Sequence, residues 1–305
     1  MKYEFTKTVR TNDKLRKSFN ELTQNTFGFD FEDWYQTGHW QDLYIPHVLL
    51  DGEKVVSNVS VNLIKFDVKG EQKYYIQLGT VMTDEAYRGQ GLNREIMEKI
   101  MAEYQDKVDG IYLFGNDDVL EYYPKFGFVP TKEYEYYMSC ENCAGVAPYE
   151  IEKVNMEKDE ECEKLYEVIR KYAEDADDKS CGQKINENDG LYMSHNLGLY
   201  QFWFSAGFGD NVYYVPENGC YVVVEMDGEI LRIHQILGRE KVDILRFAKA
   251  FGDNVKEVVL AYTPYHTENF MVREHKEEDC TLFIWGKDLE RIEREKMMFP
   301  VMSHA

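Results

Sequence analysis

Arg88-Gly89-Gln90-Gly91-Leu92-Asn93 joins a cation, two glycines and a helix start, a combination suited to holding a phosphate. Upstream, YYIQLGTVM (residues 74–82) is short and rich in β-formers, which predicts a strand ending in a turn. Downstream, Leu92, Ile96, Met97, Ile100, Met101 and Tyr104 recur at helical spacing and predict a helix from about Gly91 to Asp106. The first turn of a helix leaves backbone N–H groups unpaired at its positive end, so an anion is favoured there. Without a Cβ, Gly89 and Gly91 let the backbone approach a pyrophosphate closely, and Arg88 places a guanidinium beside it.

Beyond this helix, GIYLFGN (residues 110–116) reads as a second buried strand, and residues 117–128 as a short helix closed by Pro124 and Gly127. Arg88 and Gly91, followed by Asn116, Tyr123, Lys125, Gly127 and Phe128 at their spacings, resemble the GNAT superfamily of N-acetyltransferases. Asn93 departs from the pattern, which has a small residue at that place. The resemblance implies acetyl-coenzyme A as cofactor, held by residues 88–93 and Asn116, with its pantetheine arm along the backbone of Val81, Met82 and Thr83. Tyr123 stands at the family's position for the acid that protonates the departing sulfur, and Tyr122 is its neighbour. The amide of Asn93 is placed to reach a phosphate oxygen.

The composition narrows the acceptor. With 35 basic against 56 acidic residues the net charge is −21, which disfavours nucleic acid and anionic membranes as partners and favours a cationic small molecule. The N-terminal residues are charged throughout and no run of about 18 apolar residues occurs, so a cytoplasmic protein is expected. The 6 cysteines are scattered and imply no disulfide framework. Cys140 and Cys143 form a lone CxxC without a second pair at zinc spacing, so no metal is expected.

A chain of 305 residues exceeds what one such fold requires, and two units are expected. The first spans residues 1–143. It begins with a strand at Tyr3–Val9 and an amphipathic helix, and contains a hairpin turning at Asp51-Gly52. In the family, the region of Trp34, Tyr35 and Trp40 commonly walls the acceptor pocket. The run KEYEYYMSC (residues 132–140) reads as an edge or closing strand. Residues 144–305 repeat the outline: a helix near Leu165–Tyr172, a longer apolar helix within residues 191–208, strands about a second Asp-Gly turn, a helix at Val242–Phe251 and a strand at Glu257–Pro264. The corresponding loop, Leu237-Gly238-Arg239-Glu240-Lys241, carries one glycine and an acid where phosphate would sit, and is expected not to bind coenzyme A. The expected class is α/β (α+β), two GNAT-like units, each a mixed central sheet flanked by helices. This tandem resembles the enhanced-intracellular-survival type of acetyltransferase without its third domain.

Acetyl transfer needs a neutral amine, and no Asp, Glu or His of the first half stands at a family position for a base. The apolar tail 297–302 is expected to dock rather than float. By the resemblance, the carboxylate of Ala305 or the imidazole of His304 would serve as base. The function expected is an N-acetyltransferase acting on a small, cationic primary amine; a non-catalytic acyl-coenzyme A-binding regulatory protein is the rival. Polyamine, aminoglycoside, amino acid and peptide amines remain open as acceptors, as does a homo-oligomer.

Overall fold

The structure, a computed structural model, describes residues 2–140, 145–177 and 186–304. Strands β1 (Glu4–Thr6), β2 (Tyr44–Asp51), β3 (Lys54–Val68) and β4 (Glu71–Thr83) form successive antiparallel pairs; the expected β2–β3 hairpin is present, turning at Gly52-Glu53, one residue later than expected, because Asp51 still pairs with Lys54. β4 then runs parallel to β5 (Gly110–Gly115). A parallel pair needs a crossover, and helix α3 (Leu92–Tyr104) supplies it, burying Ile96, Met97 and Ile100 against the sheet. On the other face lie α1 (Asp13–Phe27), capped by the Asn12 side chain, and α2 (Glu32–Gln36). Residues 117–128 form two 3-10 turns, Asp117–Val119 and Tyr123–Phe126, in place of the expected helix. Pro124 lacks the N–H that a continuous helix would use.

After β6 (Val129–Thr131) the chain leaves the first sheet. β7 (Tyr134–Ser139), expected to close the first unit, instead lies in a second sheet. There follow β8 (Glu152–Lys153), α4 (Asp159–Asp177), β9 (Leu191–Met193) and α5 (Leu197–Trp203), which continues into a wide π-type turn at Phe204–Phe208. The apolar run at 191–208 is therefore a strand paired to β3 and then a helix, not one helix. β10 (Val212–Val215), β11 (Cys220–Asp227) and β12 (Ile230–Leu237) are antiparallel neighbours, and α6 (Ile244–Lys249) crosses over to the parallel strand β13 (Glu257–Leu260). β14 (Met271–Glu274), β15 (Thr281–Trp285) and α7 (Arg291–Arg294) precede the tail.

The two sheets have the orders β1-β2-β3-β4-β5-β15-β6 and β14-β7-β13-β12-β11-β10-β8. Position by position these orders match, except that each contains one strand from the other half of the chain; β9, also from the second half, adds to the first sheet beside β3. β15 fills the slot between β5 and β6, with Phe283 opposite Leu113 on one side and Pro130 on the other. β7 fills the equivalent slot between β13 and β14. The expected boundary at 143/144 falls among residues outside the described ones, and the flanking strands cross it reciprocally.

Charge locks β7 in place. Glu135 receives Arg273 Nε at 2.6 Å, Arg232 Nη1 at 2.9 Å and His275 Nδ1 at 3.2 Å. Burial alone would raise this carboxyl, but His275, Arg232 and Arg273 hold it down at about 2. Close packing locks β15: a Cβ on Gly110 would lie 2.5 Å from Leu289, so only glycine lets the segment after β15 lie against the start of β5. The tail completes a core common to both halves, where Phe299 stacks on Tyr112 at 4.0 Å beside Phe66, and Met297 and Met302 are fully buried with it. Among the described residues, no helix is long and apolar enough to cross a membrane.

A fragment of residues 1–143 lacks β15, leaving Leu113 and Phe114 of β5 without their partner strand and β7 without its sheet. It is expected to aggregate when expressed alone and to be rescued by co-expression of residues 144–305, as read by size-exclusion chromatography; a soluble, monomeric, folded 1–143 would contradict the exchange.

Candidate active site

The site begins with one extra residue in β4. Gly79 pairs with Ser60 and Met82 with Asn58, so three steps on β4 face two on β3. Thr80 absorbs the excess with φ +49°, a left-handed backbone that a β-branched residue rarely adopts. Its hydroxyl lies 2.6 Å from the Tyr44 hydroxyl, and its carbonyl accepts from Asn58 Nδ2 at 2.7 Å. The bulge turns β4 away from its parallel neighbour. Pairing with β5 ends at Leu78–Leu113, while β4 runs on to Thr83 and β5 to Gly115. Asp84 N–H is given to Val56 of β3, so by strand alternation the backbone groups of Thr83 and Val81 face the gap. Met82, between them, buries its side chain beside Thr23.

The glycine loop lies at the mouth of this gap. Gly89 and Gly91 have φ +75° and +79°, and a Cβ on either would meet nothing within 4 Å, so a ligand has open room above both. α3 starts at Leu92 with Gly91 as N-cap and no side-chain cap, which leaves its first-turn N–H groups for an anion. Gln90 is anchored by the Tyr3 hydroxyl at 2.9 Å, and Arg88 Nε donates to Thr83 O at 3.3 Å while its guanidinium is largely exposed. Asn93 also has a structural part. Its Oδ1 accepts from Ser57 Oγ at 2.8 Å, and Ser57 also meets Thr83 Oγ1 at 2.9 Å, so Asn93 ties the helix start to the ends of β3 and β4.

Tyr123 lies against the end of β5. A Cβ on Gly115 would come within 3.0 Å of its ring, so the glycine there admits the tyrosine. The ring packs on Phe283 and Phe128, and its hydroxyl makes no hydrogen bond to a described residue. Burial pushes the hydroxyl's pKa well up, which keeps it protonated at neutral pH. The Tyr122 hydroxyl is buried without a hydrogen-bond partner among the described residues, and Asn116 is exposed just after β5.

On the opposite face of the gap is a cavity of about 610 Å³. Tyr44, whose hydroxyl touches the bulge, and His304, whose ring stacks on Phe114 at 3.8 Å, line its inner side. Of the three aromatics expected at an acceptor pocket, Trp34 lines this cavity; Trp40 is buried behind it, stacked on Trp34 at 5.6 Å, and Tyr35 lies under the Arg16 guanidinium at 3.5 Å. Leu199, Phe202 and Trp203, from the second half of the chain, complete the wall. Sequence spacing could not reveal them, because α5 reaches the site only through the shared core. Ala305 lies outside the described residues. The His304 imidazole is not poised near neutrality: burial pushes it down to about 3, so it is uncharged at pH 7 and a poor store for a proton.

The second sheet carries the same bulge, one extra residue on β12 between its Val223 and Val224 pairings, and β12 likewise outruns β13. Its loop differs in chemistry. The N–H groups of Gly238, Val242 and Asp243 are taken by Tyr172, Asn188 and Tyr149, and the Asp243 carboxylate caps Leu245 and Arg246 at 3.0 and 3.1 Å. A carboxylate thus sits where α6 would otherwise receive an anion.

Residues 8–131 match the acetyltransferase (GNAT) domain family. No curated protein matches the chain. Among solved structures, a protein of Enterococcus faecalis V583 described as a probable N-acyltransferase has a TM-score of 0.57 at 14% identity, over 93% of this chain and 72% of that one. A GCN5-related N-acetyltransferase from Anabaena variabilis has 0.56 at 12%, over 92% and 72%. Eis1 from Mycobacterium abscessus has 0.54 at 10%, over 92% and 73%. At these identities the likeness is one of fold.

The tail that brings His304 into the site rests on a buried carboxyl. Glu133 Oε1 accepts the Phe299 N–H at 2.7 Å, and burial, opposed by that bond and by His275, raises the carboxyl from 4.5 to about 7. Between those values the unfolded chain releases this proton while the folded chain retains it, so Glu133's contribution is complete below 4.5 and lost as pH rises to 7. Glu133→Gln stays neutral and should be more stable than the parent at pH 8, by about 1–3 kcal/mol, with the difference vanishing near pH 4.5. Paired thermal melts at the two pH values check this; a variant less stable at pH 8 would contradict it.

Proposed function

We propose, from the match of residues 8–131 to the acetyltransferase (GNAT) domain family, that this chain transfers the acetyl group of acetyl-coenzyme A to a small primary amine. The observation that carries the reading is the gap between β4 and β5 beyond Leu78 and Leu113, with an uncapped helix start at one end and Tyr123 at the other. These residues fit the cofactor. The open space over Gly89 and Gly91 and the first-turn N–H groups of α3 would hold its pyrophosphate, with the exposed Arg88 guanidinium beside them. The backbone edge at Val81 and Thr83 would pair with its amide-bearing arm as an added strand does, and an N–H of the same edge would polarise the acyl carbonyl. Bound there, acetyl-coenzyme A supplies an acyl carbon activated by its thioester.

The protein's own groups then handle protons. An alkyl amine with pKa near 10.4 is mostly protonated at pH 7, so the acceptor has to lose a proton before it attacks. His304 is held uncharged and can accept a hydrogen bond from the amine without storing its proton. Tyr123, kept protonated by burial, would donate to the leaving sulfur. The net charge of −21 draws cationic acceptors towards the protein. The second half acts as scaffold and wall: its own loop spends its donors internally and has a carboxylate at the helix start. A tandem of one active and one degenerate unit follows.

Tyr123→Phe removes a hydroxyl that holds up nothing in the fold, so stability and cofactor affinity should be kept. Turnover in a thiol-release assay should fall by about ten- to ten-thousand-fold. Undiminished turnover in that variant would remove Tyr123 from the chemistry, and a protein that binds acetyl-coenzyme A but releases no thiol with any amine would be a binding module.

A further inference from the structure

The cavity opposite the gap has a chemistry that selects among amines. Its walls are the rings of Phe31, Trp34, Phe202 and Trp203 with Leu199, and the volume of about 610 Å³ lies within the range of small-molecule sites. Four polar side chains along these walls are already engaged, while His304 Nε2 has no partner among the described residues. Trp34 Nε1 donates to Gly198 O at 2.9 Å, Trp203 Nε1 to His304 O at 2.8 Å and Ser205 Oγ to Gln201 O at 2.9 Å, and the Tyr44 hydroxyl is held by Thr80 at 2.6 Å. A hydroxyl-rich acceptor would leave water and find few partners, which opposes its binding.

Charge gives the second selection. Among the described residues lining the cavity, the acidic ones are Asp30 and Asp33, both exposed at its rim, and no lysine or arginine lines it. His304 does not supply a positive charge, since burial holds it neutral. A carboxylate on the acceptor would therefore enter beside two negative groups with nothing to pair it. An ammonium is drawn to the same rim, and an aromatic body matches the walls beyond it.

Resting on the transferase reading above, we infer that the acceptor is an arylalkylamine: an aromatic ring on a short alkyl chain ending in a primary amine, without a carboxylate and without a polyhydroxylated body. Asp30 and Asp33 attract the ammonium at the rim. The ring settles among Trp34, Phe202 and Trp203, and the amine is delivered at the Tyr44 and His304 end, where the β4–β5 gap opens. The reaction balances as follows: the ammonium gives one proton to solvent, its nitrogen bonds to the acyl carbon, the C–S bond breaks, and the second nitrogen proton ends on sulfur through Tyr123. N-acetyl amine and free coenzyme A thiol are the products.

Four probes with the full chain test this: 2-phenylethylamine, phenylalanine (the same ring and amine plus a carboxylate), spermidine and kanamycin. In the thiol-release assay kcat/KM for 2-phenylethylamine should exceed each of the others at least tenfold, and any of the three matching or surpassing it overturns the inference. Binding is read separately, without cofactor, by quenching of tryptophan fluorescence. 2-Phenylethylamine should quench saturably, and Ala206→Trp, at an exposed position of the wall, should abolish its binding while calorimetry shows coenzyme A still bound. Asp30→Asn with Asp33→Asn should weaken it three- to tenfold and flatten its salt dependence. Should no amine be acetylated, the transferase reading fails, and fluorescence still decides the cavity: saturable binding of 2-phenylethylamine that Ala206→Trp removes upholds its preference, and no binding overturns it.

Discussion

In the main order of each sheet, one slot is filled by a strand from the other half of the chain. β15 lies between β5 and β6, and β7 lies between β13 and β14. The consequence reaches the candidate active site directly. β5 is paired on its β15 side as far as Gly115, so it stays straight and anchored while β4 departs from it beyond Leu78. A gap between parallel strands would expose backbone and invite collapse if both edges were loose. Here one edge is held by the exchanged strand, and the other by the Thr80 bulge with its ties to Tyr44 and Asn58. The same exchange draws the C-terminal tail across the sheet, where Phe299 stacks on Tyr112 and His304 on Phe114. One topological constraint thus positions the strand edge, the aromatic walls and the tail.

The two halves share a backbone plan and diverge in how their loops spend hydrogen bonds. Both have a bulge before a parallel crossover. In the first, the helix start is uncapped and two left-handed glycines leave room above it. In the second, Tyr172, Asn188, Tyr149 and Asp243 consume the corresponding donors. The same backbone plan can therefore leave its loop donors free or satisfy them locally without a change of fold.

The strand, glycine loop and helix at residues 74–104 were legible because each is specified by neighbours in sequence: β-formers, then glycines, then a helical period. The β2–β3 hairpin was legible for the same reason. β15 was not foreseen, and β7 was assigned to the wrong sheet, because strand order depends on long-range pairing that alternation cannot report. TLFIW has the composition of a buried strand, and that was the available signal. Pro124 marked the break in residues 117–128, where a helix was expected. The tie from Asn93 to Ser57 and Thr83 was not legible, because that proximity exists only in three dimensions. The tail's docking was visible in its apolar run, whereas its target was not, since Glu133, Tyr112 and Phe114 are remote in sequence. His304 was expected to titrate near neutrality; its burial against Phe114 is a tertiary fact that inverts that expectation.

The central claim is that a single cofactor site exists, on the first sheet's gap and glycine loop. Hydrogen–deuterium exchange with and without coenzyme A addresses it residue by residue. The account predicts slower exchange at the amides of residues 81–83 and 89–94, with residues 237–246 unchanged. Protection at 237–246, or no protection at 89–94 with coenzyme A saturating, would contradict it.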